Sequence, residues 1–306
     1  AGGIPPLLRL LSSGCEEVEE KVAMTLRNLA VNNIQHQVLI VEAEGLELLE
    51  DLLQMDTMLP EVVVLGTLLA PAIPLKKKVQ VIGPKAIPSI IGLMKVCKSS
   101  SHGALLMGLH EFAKMDAKKR EDIVNAGGIP LLTDHFGPGD RKVKEEVTGA
   151  LQCLATTPST QAAIVAAGGV DVMIAGLEQG SSPAQRTAAI GAIKKLAATA
   201  SYRTAIAEAG GLRLLVDLLR ASTGAEQVRV AEALQSLAFD NAENKATIAN
   251  SGGISALLAM LSAKDSKAQA GAAKTLQSLA ADETCQDAIR HEGGLRALLS
   301  HTSSPA

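Results

Sequence analysis

The sequence predicts an all-α fold, a right-handed superhelical solenoid of three-helix repeats, and three observations carry that prediction. A glycine-glycine text recurs from one end to the other at a near-constant step. A second text, closing a longer helical pattern, recurs in phase with it. The composition suits packed helices better than sheets: 47% of the 306 residues are hydrophobic, yet there is no Trp, one Tyr (Tyr202) and three Phe (Phe112, Phe136, Phe239). The interior is therefore built from Leu, Ile, Val and Ala.

The first text reads "AGGIPPLLRLL", "EAEGLELLEDLL", "GPKAIPSIIGLM", "NAGGIPLLTDHF", "AAGGVDVMIAGL", "EAGGLRLLVDLL", "NSGGISALLAML" and "HEGGLRALLS". Its second-glycine position falls at Gly3, Gly45, Ala86, Gly128, Gly169, Gly211, Gly253 and Gly294, a step of 41 or 42 residues each time. A fixed period of about 40 marks a helical solenoid, in which each unit buries its apolar face only by stacking on the next. The second text, seen as "TLRNLA", "LHEFA", "ALQCLA", "AIKKLA", "ALQSLA" and "TLQSLA", closes a longer helix later in each unit. Each unit thus reads as a short helix, a Gly-Gly corner, a second helix, a polar loop and a long third helix.

The elements follow from local chemistry. At the corner, the first glycine can take positive φ to end the short helix, and the second leaves room for the next helix to cross close by. Ser182 before Pro183, Asp140, and Ser159 before the following short helix are the expected N-caps. In the third helices apolar residues recur at a 3.6-residue period, as at Val230, Ala231, Leu234, Leu237 and Ala238. The chain reads as one domain over 1–306, about seven periods with partial units at both ends. It begins at a corner without a first helix and ends without a third, which points to a stretch excised from a longer protein. One unit is irregular: residues 53–88 contain Pro60, Pro71, Pro74, Pro84 and Pro88, and Ala86 replaces the corner glycine.

These in-phase motifs resemble the armadillo-repeat family, whose units have three helices and a glycine corner between the first two. The resemblance covers essentially the whole chain; HEAT repeats match in length but usually have two helices and lack the repeated corner. It implies a concave face built from the third helices that binds extended peptides. In members similar to nuclear-import adaptors, Trp and Asn stand four residues apart on each third helix. The Asn-like positions here are Asn28, Leu68, Glu111, Cys153, Lys195, Ser236 and Ser278, and the Trp-like ones are Met24, Val64, Met107, Gly149, Gly191, Glu232 and Lys274. Only Asn28 matches, which argues against binding of nuclear-localisation signals. Basic residues are too sparse for an acidic-ligand groove of the catenin type. The candidate partner groove is Met24, Asn28, Met107, Glu111, Lys195, Glu232, Ser236, Lys274 and Ser278, apolar early and polar later.

Other chemistry is excluded or bland. No nucleotide loop, zinc-protease motif or nucleophile elbow occurs, and the six histidines lack metal-ligand spacing. The reading is a non-catalytic interaction scaffold without cofactor or metal, binding a protein or peptide. Its alternative is an architectural or self-associating solenoid whose groove holds a flanking segment of a larger protein. Cys153 has no base supplied by a local motif and reads as a packing or groove residue. His291 suits a capping and dipole role at a helix C-terminus. Lys76–Lys78 and Lys118–Arg120 read as solvated helix surface, and the net charge of −3 gives no specific nucleic-acid signal. The four cysteines form no CxxC, and no long apolar run suggests a transmembrane segment, so a cytosolic or nuclear setting is expected.

Overall fold

Capping chemistry sets where each repeat begins. In the computed structural model, which describes residues 2–11, 13–30, 86–96, 99–137, 140–263 and 265–294, five first helices of nine residues each run Ala117–Asn125, Pro158–Ala166, Ala200–Glu208, Ala242–Asn250 and Glu283–His291. Asp116, Thr157, Asn241 and Asp282 each accept a backbone N–H of the first turn. The cap expected at Ser159 is in fact Thr157. Pro158 takes the first helical position and holds its predecessor extended, at φ −122° and ψ 156°, so the cap must precede the proline. Ser159 joins the helix, its hydroxyl 3.0 Å from that of Thr157. Ser182 and Asp140 cap third helices as expected, accepting from the backbone N–H groups of Gln185 (3.0 Å) and Lys142 (2.8 Å).

The glycine corner does two jobs. Gly252 lies at φ +75°, and its counterparts Gly127, Gly168, Gly210 and Gly293 lie between +75° and +80°, a region other residues enter at a cost. The second glycine removes a collision instead. A Cβ at Gly253 would stand 2.6 Å from Ile248 Cγ2 and 2.8 Å from the Ile248 carbonyl oxygen. An isoleucine holds the same place before each corresponding corner, at Ile123, Ile164, Ile206 and Ile289. The chain turns sharply there: Pro158–Ala166 and Gly169–Ala175 meet at 79°. Ile129, Val170, Leu212 and Ile254, immediately after the corner, are buried.

Two compact units, Ala1–Leu154 and Ala155–Ala306, divide the contacts of the chain. In the second, the third helices Pro183–Leu196, Gly224–Ala238 and Ser266–Leu279 pack one on the next. Val230, Ala231, Leu234, Leu237 and Ala238 have no exposure at all, as their period requires. In the first, Ile4–Leu10 packs on Glu16–Ala30, and Ser99–Met115 packs on Ala86–Val96 and on Arg141–Leu154. Among the described residues every regular element is a helix, and the fold class is the all-α solenoid of three-helix repeats. Most of the irregular unit, with Val64, Leu68 and Lys76–Lys78, lies outside the described residues; Ala86 begins the second helix Ala86–Val96.

A polar clamp recurs in phase. Arg120, Arg203, Asn244 and Gln286, each on a first helix, donate to carbonyls closing the preceding third helix: Ala113 (3.0 Å), Ala197 (2.9 Å), Leu237 (2.8 Å) and Ala280 (2.9 Å). These carbonyls lack intrahelical partners, so the clamps complete the helix ends. Arg120 is therefore turned inward rather than solvated, which corrects the reading of the Lys118–Arg120 run. Lys118 is exposed, and Lys119 pairs with Asp116.

Candidate partner-binding face on the third helices

Residues four apart on a helix share a face, and on the third helices that face stays accessible while the next stripe is buried. On Glu16–Ala30, Met24 is 40% exposed and Asn28 is also exposed. On Ser99–Met115, Met107 and Glu111 are half-buried, and Glu111 accepts from Lys114 at 2.6 Å. In the second unit Lys195, Glu232, Ser236 and Ser278 are half-buried and Lys274 is exposed. Glu232 is bridged by Lys194 of the preceding third helix at 2.6 Å, and the Ser236 hydroxyl turns back to donate to the Glu232 carbonyl (3.0 Å). The Lys195 carbonyl accepts from Gln161 Nε2 at 3.4 Å.

Cross-links between neighbouring third helices fix this face. Arg186 Nε reaches Glu226 at 2.8 Å, Arg229 donates to the Thr187 hydroxyl at 3.3 Å, and the Thr275 hydroxyl donates to the Ala231 carbonyl at 3.1 Å. Each joins residues one repeat apart.

The first unit holds an arrangement that local sequence reading missed. His110 Nδ1 lies 2.7 Å from Glu146 on the neighbouring helix. Gly149 makes room for it: a Cβ there would stand 2.4 Å from the ring's Cε1. Burial of the ring opposes its charged form, as does the nearby Lys114, but the neighbouring Cys153 and Glu146 outweigh both and hold the imidazole above its ordinary pKa. The signal that finds this cluster is the period itself. His110 is one repeat before Gln152, and its ring meets the next third helix one turn earlier, at Glu146 and Gly149.

Elsewhere the electrostatics serve the fold. The hydrogen bond from Lys119 holds the Asp116 carboxyl below its usual range, and that from Thr284 does the same for Asp282. Burial pushes the Cys285 thiol up. His291 lies in the last turn of Glu283–His291. Among the described residues no group of three His, Cys, Asp or Glu side chains is arranged to hold a metal ion, and no single helix is long and apolar enough to cross a membrane.

Comparison with known proteins gives the same architecture. The family model described as Armadillo/beta-catenin-like repeat matches residues 1–31 and 241–281. Curated proteins gave no significant sequence match. Among solved structures, the chain is similar to an engineered protein at 26% identity, covering 100% of this chain and 75% of that one, with a TM-score of 0.73. A second engineered protein is 25% identical over 92% of this chain and 98% of its own, with a TM-score of 0.56. A designed armadillo-repeat protein in complex with the peptide (KR)4 shares the fold, at 16% identity, 90% and 99% coverage and a TM-score of 0.58. The family model matches two stretches, and the glycine corner and three-helix unit repeat in phase along the described residues: the repeats of this chain are of the armadillo type.

Proposed function

We propose that this chain is a protein-interaction scaffold that holds an extended peptide or amphipathic segment against its third helices. Armadillo folds generally serve as protein- and peptide-binding scaffolds. The observation that carries the reading is accessibility in register. Met24, Asn28, Met107, Glu111, Lys195, Glu232, Ser236, Lys274 and Ser278 all keep exposed surface, whereas the adjoining stripe, as at Val147, Ala150, Leu151 and Leu154, has none. Within each unit, side chains kept accessible in register by helix packing suit recognition by a few anchors and many complementary contacts. Met24 and Met107 supply adaptable apolar contacts. Lys195, Glu232 and Lys274 supply charge and register farther along. A designed armadillo-repeat protein of the same fold is in complex with the peptide (KR)4, which supports the reading.

The test is selection of binders from a displayed library of linear peptides, followed by affinity measurement on the full chain. Charge reversal by Lys195→Glu with Lys274→Glu is expected to weaken the selected peptides about tenfold or more, with helical content unchanged. Unchanged affinity for every selected peptide would sink the assignment of this face.

A further inference from the structure

Resting on the reading of the third helices as a peptide-binding face, we propose that Phe239 is an apolar anchor of that face in the second unit. It takes an aromatic or large aliphatic side chain of the bound peptide.

The place of this ring follows from the length of the junction between a third helix and the next first helix. The last large core residue of each third helix is Phe112, Leu154, Leu196, Leu237 or Leu279, none with any exposure. The N-caps that follow are Asp116, Thr157, Thr199, Asn241 and Asp282. In three repeats only two residues lie between, and all are small: Ala155 and Thr156, Ala197 and Ala198, Ala280 and Ala281. Between Leu237 and Asn241 there are three, Ala238, Phe239 and Asp240. The extra residue takes the backbone out of the helix. Phe239 turns extended, at φ −61° and ψ 123°, and Asp240 goes to φ +46°, the one non-glycine residue with positive φ among the described residues. A residue with a Cβ enters that region at a cost. The other long junction, from Phe112 to Asp116, also leaves an apolar side chain exposed, at Met115.

Five large apolar side chains are exposed among the described residues; Leu10, Val18, Met24 and Met115 are each less than half exposed, and Phe239 is 66% exposed. Single exposed apolar residues are ordinary on protein surfaces. This one is set apart by the inserted residue, the left-handed Asp240 and the support under the ring. The Arg203 guanidinium lies over one ring face, 5.9 Å from the centroid. Arg203 is buried and is itself fixed by donating to the Ala197 carbonyl at 2.9 Å. A cation on one face draws on the electron density of the ring, so the open face suits an apolar partner better than a second cation.

Glu232, Ser236 and Phe239 stand at i, i+4 and i+7 along Gly224–Ala238 and the residue that caps it, so one stripe carries all three. The ring therefore continues the accessible face at its C-terminal end. An aromatic side chain has few torsions to freeze on binding, and such residues supply much of the energy where a partner covers them.

The test uses the full chain and linear peptides selected on it from a displayed random library. The selected peptides are expected to share an aromatic or large aliphatic position. Its replacement by Ala should weaken binding about tenfold or more, and Phe239→Ala should weaken the same peptides to a similar extent. The two losses should not add in a double-mutant cycle, because each removes the same contact. Since the ring is exposed, Phe239→Ala should leave helical content and melting unchanged. Full affinity in Phe239→Ala, with Lys195→Glu plus Lys274→Glu still weakening the peptides, overturns the anchor and leaves the face standing. Full affinity in both variants, or a library that yields no binder, overturns the face as well. A lowered melting temperature in Phe239→Ala with affinity retained makes the ring a structural element and overturns the anchor.

Discussion

His110 and Lys194 hold the same register on third helices two repeats apart. Each reaches a carboxylate on the next third helix, yet the two bridges differ in kind. Lys194 and Glu232 meet at 2.6 Å with 48% and 42% of their side chains exposed; His110 and Glu146 meet at 2.7 Å with 16% and 19% exposed. The difference lies in one column of the repeat. Where Lys194 points, the next helix carries Glu232, and the pair stays in solvent. Where His110 points, the next helix carries Gly149, and the ring lies down on bare backbone beside Glu146. The solenoid decides which side chains face each other, and the residue in that column decides whether the result is a solvated ion pair or one held largely out of solvent.

The largest way to break the comparison is Gly149→Ala. Its Cβ overlaps the imidazole, so the first unit should lose about 1–3 kcal/mol in denaturant unfolding; no loss would mean that the ring does not rest there. Next is His110→Asn, read against pH. Because the folded pKa of His110 lies above its ordinary value, the stabilisation it gives is fully present below the unfolded pKa and is lost as pH rises through the folded one. The stability gap between wild type and His110→Asn should therefore be wider at pH 5.5 than at pH 8.5. A gap independent of pH would remove the charged ring from the account. Smallest is the exposed bridge: a double-mutant cycle on Lys194 and Glu232 should give a coupling of about 0.5 kcal/mol or less, shrinking further in salt. A larger, salt-resistant coupling would erase the contrast.

The corners show how far a sequence can be read. "AGGIPPLL" at its start and "AGGIPLL" from Ala126 are nearly the same text, but the two places demand different things of their glycines. Gly128 is walled in by Ile123, with a Cβ only 2.8 Å from the carbonyl oxygen, while Gly3 sits at φ −80° with nothing within 4 Å of a Cβ. The demand comes from a helix packed before the corner, and the helix before Gly128 is there to make it. Gly128→Ala should accordingly destabilise by about 1–3 kcal/mol and Gly3→Ala scarcely at all, which melting of the two variants checks.

The period, the corner and most caps were legible because each is set by residues within a turn or two. Thr157 was missed by two positions because Pro158 shifts the cap ahead of itself. The pairing of His110 with Glu146 was missed because it joins third helices of neighbouring repeats. Lining up equivalent positions brings His110 within a turn of Gly149, but only the structure shows that a bare glycine lets the ring settle there. The positions of the third-helix face were legible from register, while their bridges, such as Lys194 to Glu232, depend on side-chain reach.

The central claim is that the third-helix face carries the binding energy, and an alanine scan of affinity for one selected linear peptide tests it most directly. Substitutions at Met107, Glu232 and Lys274 are expected to account for the main losses, about 1 kcal/mol or more at the anchors, while Lys118, Lys245 and Glu283 on the first helices leave affinity unchanged. Losses concentrated on the first helices, with the third-helix positions silent, would contradict it.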